Sequence, residues 1–127
     1  MRILIIDDDP AIRKIAAFVL RKEGHEVFEA ASGADGLAAA AAQTPDLVLL
    51  DWRLPDMGGL EVLRALKAEA RTGAAPVLVL TASAQEEYAR RAARDGGAVD
   101  VLAKPFRPSA LPGLISDALA RAGGPKG

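Results

Sequence analysis

Four short stretches of this sequence hold side chains that could do chemistry together. Three consecutive aspartates at positions 7–9 follow one apolar run, and Asp51 ends another. Thr81 and Lys104 follow two later apolar runs. Crowded carboxylates oppose one another's ionisation, so a hard divalent cation such as Mg²⁺ would stabilise them. These residue types therefore predict a magnesium site that can meet a phosphoryl group.

Charge balance supports the same chemistry. Asp7, Asp8 and Asp51 bring three negative charges. One Mg²⁺ ion and the ammonium of Lys104 would balance them and leave the site near neutrality. A carboxylate can attack phosphorus to give an aspartyl phosphate, a reaction that needs positioning and cations more than a general base. Thr81 can then donate a hydrogen bond to one phosphoryl oxygen while Lys104 pairs with another.

The elements that must position these residues alternate between apolar runs and helical patterns. Short continuous apolar runs are typical of strands buried on both faces of a parallel sheet. The predicted strands cover residues 2–6, 25–30, 47–50, 76–80 and 98–102. The predicted helices cover residues 10–23, 32–43, 59–71, 83–95 and 111–119. Alternating units of this kind predict an α/β fold with a doubly wound parallel sheet, whose sites form at the carboxyl ends of the strands.

The helix starts carry signals of their own. Asp9 before Pro10 predicts an N-cap followed by proline in the first turn. Ser32 and Ser83 each precede an acidic residue at the spacing of a capping box. The inward candidates of the helix after Ser83 are Tyr88, Ala89, Ala92 and Ala93. Because alanine buries little apolar area, we expect this helix to be weakly anchored.

Composition excludes several classes of function. The 127 residues suffice for one domain. Sixteen basic and seventeen acidic residues give a net charge of −1, which argues against direct nucleic-acid binding and against attraction to a membrane. The absence of cysteine excludes thiol chemistry, and His25, the single histidine, argues against a histidine zinc site. No apolar run is long enough to span a membrane and no signal peptide is recognisable, so we expect the cytoplasm.

The ordered motifs of this chain resemble those of the receiver domain of two-component response regulators. The matching stretches are residues 5–9, 50–59, 80–82 and 104–106, together with Gly97, Ala98 and Asp100. The resemblance implies a flavodoxin-like sheet with strand order 2-1-3-4-5, flanked by five helices. We expect a receiver domain over residues 1–122 and a flexible tail over 123–127.

The resemblance implies a role for each acidic residue of the cluster. Asp51 would accept the phosphoryl group. Asp8 and Asp51 would bind Mg²⁺ directly, with Mn²⁺ as an alternative ion, while Asp7 would bind it largely through water. Arg53 would contribute its backbone carbonyl to the same ion.

The resemblance also implies partners and a route for the signal. A histidine kinase or a phosphotransfer protein would donate the phosphoryl group, and Thr81 and Lys104 would hold it. The family usually has Tyr or Phe three residues before the lysine, whereas this chain has Val101. Because valine has no ring to swing inward, the signal must pass through the backbone after Thr81 and the following helix. We expect a downstream target protein to bind the face formed by helix 83–95, strand 98–102 and the final helix.

A different class of protein offers an alternative. A haloacid-dehalogenase-type magnesium phosphatase also uses aspartate, Mg²⁺, a hydroxyl and a lysine on a doubly wound sheet, and its nucleophile here would be Asp7, with Asp9 two residues on. The chain lacks the cap domain and the later acidic pair of that class. The glycine-rich fingerprints of nucleotide-binding proteins are also absent. No output domain follows the last helix, so we expect either a stand-alone receiver or a piece of a larger protein.

Overall fold

The apolar runs become strands in the computed structural model, which describes residues 1–82 and 86–122. The strands are β1 (Arg2–Ile6), β2 (Glu26–Ala30), β3 (Leu47–Asp51), β4 (Val77–Thr81) and β5 (Asp100–Ala103). The helices are α1 (Pro10–Lys22), α2 (Gly33–Gln43), α3 (Gly59–Ala68), α4 (Glu86–Asp95) and α5 (Leu111–Arg121). None of the described helices is both long enough and apolar enough to cross a bilayer. Ser83 of the predicted capping box and the predicted tail at 123–127 lie outside the described residues.

The strands form a parallel sheet in the order β2-β1-β3-β4-β5, which confirms the predicted fold class. Leu4 and Ile6 of β1 face a buried cluster that includes residues of α2, α3 and α4. Ile3 and Ile5 face the other side of the sheet, where α1 and α5 complete a second cluster. Burial on both faces explains why the strands are continuous apolar runs in the sequence.

The register of the strands brings their carboxyl ends to one edge of the sheet. Ile6 of β1 pairs with Leu50 of β3, so Asp7 and Asp51 follow at the same level. Thr81 ends β4 and pairs with Ala103 of β5, and Lys104 follows Ala103 in the chain. The fold therefore places all four predicted groups at the edge where parallel α/β sheets carry their sites.

Side-chain caps start the first two helices as predicted. Asp9 Oδ1 accepts a hydrogen bond from the backbone N–H of Ala11 at 2.9 Å, and Pro10 occupies the first turn of α1. Ser32 Oγ accepts from the backbone N–H of Asp35 at 3.1 Å at the start of α2. Each cap satisfies a donor that the helix itself leaves unpaired.

The end of α3 and the start of β5 differ from their predicted positions for local reasons. α3 ends before residue 71 because Glu69 adopts extended backbone, and Thr72 Oγ1 donates to the Leu66 carbonyl at 2.6 Å. This bond satisfies one of the last carbonyls of the helix. β5 begins after residue 98 because the Ala98 N–H still donates to the Ala93 carbonyl of α4 at 2.9 Å.

The prediction that Tyr88 faces inward was also wrong, because the residue is 77% exposed. Ala89 and Ala93 are buried, and their spacing places them on one face of α4. Ala92 is half-buried. Because the inward residues are small, the backbone of α4 lies close to the sheet, and the large ring of Tyr88 lies outside the contact.

Polar contacts at β5 supplement this small apolar face. Arg90 Nη1 donates to the Val101 carbonyl at 3.3 Å. Arg94 of α4 pairs with the Asp100 carboxylate at 3.1 Å, and Arg121 of α5 pairs with its other oxygen. Asp100 thus joins both helices to the edge strand, and we call Asp100, Arg94 and Arg121 the β5 clamp.

Candidate phosphoacceptor site

The predicted acidic cluster is assembled at the carboxyl edge of the sheet. Asp7, Asp8 and Asp51 each offer a carboxylate oxygen, and these oxygens all lie within 4.8 Å of one another. Lys104 Nζ lies 3.0 Å from Asp7 Oδ2 and 3.4 Å from Asp51 Oδ1. Thr81 is buried at the end of the neighbouring strand, with 2 % of its surface exposed. The structure thus brings together the residues that the sequence singled out from four separate segments.

The three carboxylates differ in their solvent exposure. Asp7 is completely buried, Asp51 retains 6 % exposure, and Asp8 is exposed. A cation or a phosphoryl group can therefore reach the cluster from the side of Asp8. Asp7 forms the floor of the site.

The donor set fits a hard divalent cation. Asp7 Oδ1 accepts a hydrogen bond from the backbone N–H of Asp9 at 2.9 Å. Asp7 Oδ2 is buried and has no hydrogen bond, and its contact with Lys104 is an ion pair outside hydrogen-bond geometry. A buried carboxylate oxygen with unused acceptor capacity, beside two further carboxylates, provides the oxygen ligands that Mg²⁺ prefers.

The electrostatics of the cluster are those of crowded carboxylates around one ammonium. Burial raises the pKa of the Asp51 carboxyl to about 7, and the negative charge of Asp7 acts in the same direction, against the opposing effect of Lys104. Burial alone would lower the pKa of Lys104, but the two carboxylates outweigh it and raise that pKa. Lys104 therefore remains a cation, and added positive charge favours ionised Asp51.

The loop after Asp51 is fastened to two other parts of the fold. The Arg53 N–H donates to Asp51 Oδ1 at 3.3 Å, and the Arg53 side chain is exposed. Arg53 also pairs with Gly58 in an isolated antiparallel bridge. Asp56 accepts hydrogen bonds from the backbone N–H groups of Gly33 and Ala34, at 2.8 and 2.9 Å. These bonds tie the loop that carries the predicted Arg53 carbonyl ligand to the start of α2.

Asp56 is a residue that the sequence reasoning missed. Its partners at the start of α2 lie more than 20 residues away in the chain, and they are backbone groups. The two backbone bonds hold the pKa of the Asp56 carboxyl below its usual value. The sequence contains no signal for such a pairing beyond the turn-forming character of Asp56 itself.

Trp52 lies directly beside the predicted acceptor and packs against the core cluster on the α3 side of the sheet. Its backbone N–H donates to the Leu80 carbonyl at 2.9 Å. A Cβ at Gly59 would lie 2.8 Å from Trp52 Cα, so only glycine fits at the start of α3. Trp52 is half-buried and is therefore a packing residue that directly follows Asp51 in the chain.

Val101, the departure from the family pattern, is buried with 2 % exposure. It belongs to the same core cluster as Ala93 and Ala98. The space beside β5 is thus filled by small side chains. The Lys104-Pro105 peptide bond that follows is cis.

Asp7 is poorly placed to act as the nucleophile of the alternative phosphatase. Its carboxylate is completely buried, with one oxygen bonded to the Asp9 N–H and the other facing Lys104. The carboxylate of Asp9 is directed to the N-terminus of α1, where it caps the helix. The pattern Asp7-x-Asp9 therefore serves the turn and the helix start.

Comparisons with known proteins point to one family. The family model described as response regulator receiver domain matches residues 3–116. Protein PilH of Pseudomonas aeruginosa is 39% identical, over 94% of this chain and 98% of PilH. The phosphate regulon transcriptional regulatory protein PhoB of the same species is 37% identical, over 95% of this chain and 52% of PhoB. The chain thus spans about half the length of PhoB and nearly the whole of PilH.

Solved structures agree with the sequence comparisons. The chemotaxis response regulator CheY4 of Vibrio cholerae superposes with a TM-score of 0.86 at 30% identity, covering 92% of this chain and 97% of CheY4. A CheY-like receiver domain protein from Methanospirillum hungatei gives the same TM-score at 33% identity, covering 96% of this chain and 95% of that one. These similarities give no support to the dehalogenase-type phosphatase.

Proposed function

Because the chain belongs to the family of response regulator receiver domains, we propose that it accepts a phosphoryl group on Asp51. The observation that carries this assignment is the position of Asp51 within the cluster. Its side chain keeps 8% exposure, and its Oδ1 lies 3.4 Å from Lys104 Nζ, close to the exposed Asp8. Asp7, in contrast, is buried on the floor of the site. We take residues 1–122 as the receiver domain.

Receiver domains bind Mg²⁺ at an acidic aspartate cluster, and the oxygen donors of this chain suit that ion, with Mn²⁺ as an alternative. In our proposal Asp8 and Asp51 bind the ion directly, Asp7 largely through water, and Arg53 through its backbone carbonyl. When bound, the ion supplies positive charge that offsets repulsion between the acceptor carboxylate and the incoming phosphoryl oxygens.

The transfer itself is a substitution at phosphorus. A carboxylate oxygen of Asp51 forms the new P–O bond while the P–N bond to the donor histidine breaks, and the imidazole leaves with the bonding electron pair. Lys104 Nζ, already 3.4 Å from Asp51 Oδ1, pairs with a phosphoryl oxygen. The Thr81 hydroxyl donates to another phosphoryl oxygen. The donor is a histidine kinase or a phosphotransfer protein.

The chain is then a phosphoacceptor that assists its own phosphorylation and dephosphorylation, and its output is a change of protein contacts. In our proposal Thr81 moves toward a phosphoryl oxygen to bind it, and α4 follows Thr81 in the chain. The small apolar face of α4, formed by Ala89 and Ala93, supports the proposal that this helix responds. We propose that a target protein binds the face formed by α4, β5 and α5.

The experiment that tests the assignment is mass analysis after incubation with acetyl phosphate and Mg²⁺. We expect one added phosphoryl group on the wild type, none after EDTA, and none on Asp51→Asn. Asp117→Asn, which removes an exposed carboxylate of α5, is the matched control and should be labelled like the wild type. Labelling of Asp51→Asn to the wild-type extent would contradict the proposal.

A further inference from the structure

Arg13 connects helix α1 to the acidic turn after β1. Its Nη1 donates to the backbone carbonyl of Asp7 at 2.9 Å. Its Nε lies 3.2 Å from Glu29 Oε1 on β2, and the two side chains are only 14% and 15% exposed. The planar guanidinium presents several donors in fixed directions, so one side chain can hold both acceptors at once.

Glu29 holds the Arg13 guanidinium in place. Lys14 Nζ and Arg21 Nη1 also lie near its carboxylate, at 3.4 and 3.3 Å. Burial would raise the pKa of Glu29, but these cations and Arg13 outweigh it and lower that pKa, so Glu29 remains an anion. Of these three cations, Arg13 is the one that contacts Asp7 in the described part of the structure.

The bond from Arg13 fixes the peptide unit between Asp7 and Asp8. The Asp7 N–H donates to the Ala30 carbonyl at 3.1 Å, which fixes the preceding peptide unit. The Asp7 carbonyl belongs to the next unit, which is planar and therefore rotates as one body. Asp8 begins at the far end of this unit, so the Arg13 bond, together with the bond from the Asp9 N–H to Asp7 Oδ1, restrains the direction in which the Asp8 carboxylate leaves the backbone.

We propose that Arg13 is a positioning residue for the cation site, holding the Asp7–Asp8 peptide so that both carboxylates converge with Asp51 before Mg²⁺ binds. The inference rests on the proposed function, because it concerns the same acidic cluster. Residues that orient ligands without touching the metal commonly change metal affinity by about 10–100-fold when they are removed. Without Arg13, the peptide loses the restraint on its carbonyl, and part of the binding free energy is then spent on ordering the turn.

The test compares Arg13→Gln with Lys14→Gln, which removes the same charge beside Glu29 but no contact to Asp7. Trp52 is the single tryptophan and lies next to Asp51, so its fluorescence can follow Mg²⁺ titration directly. We expect Arg13→Gln to raise the Mg²⁺ dissociation constant about tenfold or more and Lys14→Gln to leave it near the wild-type value. Amide exchange without metal should be faster at residues 7–9 in Arg13→Gln than in Lys14→Gln. Equal Mg²⁺ affinities and equal exchange in the two variants would overturn the inference.

Two further measurements separate this inference from folding and from the proposed function. If Arg13→Gln fails to fold, Arg13→Lys can replace it in the test. Lysine keeps the positive charge and the aliphatic part of the side chain but lacks the planar guanidinium. We expect this variant to bind Mg²⁺ more weakly than Lys14→Gln does. Wild type that bound no Mg²⁺ would refute the proposed cation site, whereas the metal-free exchange at residues 7–9 would still decide whether Arg13 orders the turn. A folded Arg13→Lys variant identical to Lys14→Gln in both measurements would refute that role.

Discussion

The ammonium of Lys104 is the cation that the cluster itself supplies. It lies 3.0 Å from a fully buried oxygen of Asp7 and 3.4 Å from Asp51. An uncompensated buried charge is costly, so this ion pair stabilises the turn before any phosphoryl group arrives. In the proposed phosphorylated state, the same ammonium would pair with a phosphoryl oxygen, so we propose that Lys104 has a structural role in one state and a signalling role in the other.

Replacing Lys104 with methionine should therefore have an effect on stability that depends on Mg²⁺. We expect Lys104→Met to lower the free energy of unfolding by about 3 kcal/mol without metal, because Asp7 loses its counter-charge. Saturating Mg²⁺ should restore most of that loss, since the ion replaces the missing positive charge. Denaturant unfolding with and without Mg²⁺ measures both values.

Lys67 provides the control for this prediction. It is partly buried, and its ammonium donates to the carbonyls of Gly73 and Ala75, away from the acidic cluster. Lys67→Met should lower stability equally with and without Mg²⁺. A Lys104→Met loss that Mg²⁺ leaves unchanged would show that the ammonium does not offset the cluster charge.

The packing around Val101 predicts that an aromatic side chain at this position would be too large for the core and would not act as a switch. Val101 is buried beside Ala93 and Ala98, and α4 lies close to the strand. We expect Val101→Tyr to lower the free energy of unfolding by about 1–3 kcal/mol, as insertions into a packed core usually do. Val101→Ile is the conservative control. A Val101→Tyr variant as stable as the wild type would indicate that the pocket for a ring is still present.

Among the elements, α4 is the one whose attachment suits a switch. Its buried residues in the described part of the chain are alanines, and Arg90 and Arg94 hold it to β5 through polar contacts. Polar contacts near the surface contribute little free energy. We therefore expect the beryllofluoride complex, a mimic of the phosphoryl group, to change amide exchange most within residues 81–95.

Smaller changes are expected near Val101 and Lys104 in the same exchange experiment. The matched control is Asp51→Ala, which lacks the proposed acceptor and should show no change with beryllofluoride. Changes centred on α1 or α2, with residues 81–95 unaffected, would contradict the assignment of α4 as the responding element.

The β5 clamp should make stability depend on pH in a predictable direction. Burial would raise the pKa of Asp100, but the Val101 N–H and the guanidinium groups of Arg94 and Arg121 outweigh it and lower that pKa. A carboxyl with a lowered pKa in the folded state stabilises the fold above its unfolded pKa of about 4 and loses that contribution as the pH falls through the folded value. Asp100→Asn should therefore lower the thermal midpoint at pH 7 and have a progressively smaller effect below about pH 4.

Asp117 again offers a control, because it is an exposed carboxyl on α5. Asp117→Asn should shift the thermal midpoint little at either pH. A difference between wild type and Asp100→Asn that persists unchanged into acid would mean that the clamp does not depend on the charge of Asp100.

For the molecule as a whole, the parallel sheet was predictable because both faces of every central strand are buried. Runs such as residues 3–6 and 47–50 carry that signal without any alternation. The site was predictable for a related reason: its groups follow directly after strands, and parallel strands end at one edge. The order of the motifs along the chain then identified the family.

The remaining features depend on tertiary contacts that no local pattern encodes. Arg13 and Asp56 find backbone partners in other elements, and either residue alone resembles an ordinary charged surface position. Helical periodicity alone is compatible with Tyr88 on the inner face of α4. In the structure, Ala89 and Ala93 occupy that face and Tyr88 is exposed. Such choices are settled by packing between elements and not by helix periodicity.

Chemical mapping can locate the phosphoryl group and so decide whether Asp51 carries it. Borohydride reduces an aspartyl phosphate to homoserine, which tandem mass spectrometry can locate in a proteolytic digest. After phosphorylation of the wild type with acetyl phosphate and Mg²⁺, we expect this conversion at position 51, and none when EDTA is present. Conversion at position 7 or 8, with position 51 unmodified, would contradict the account.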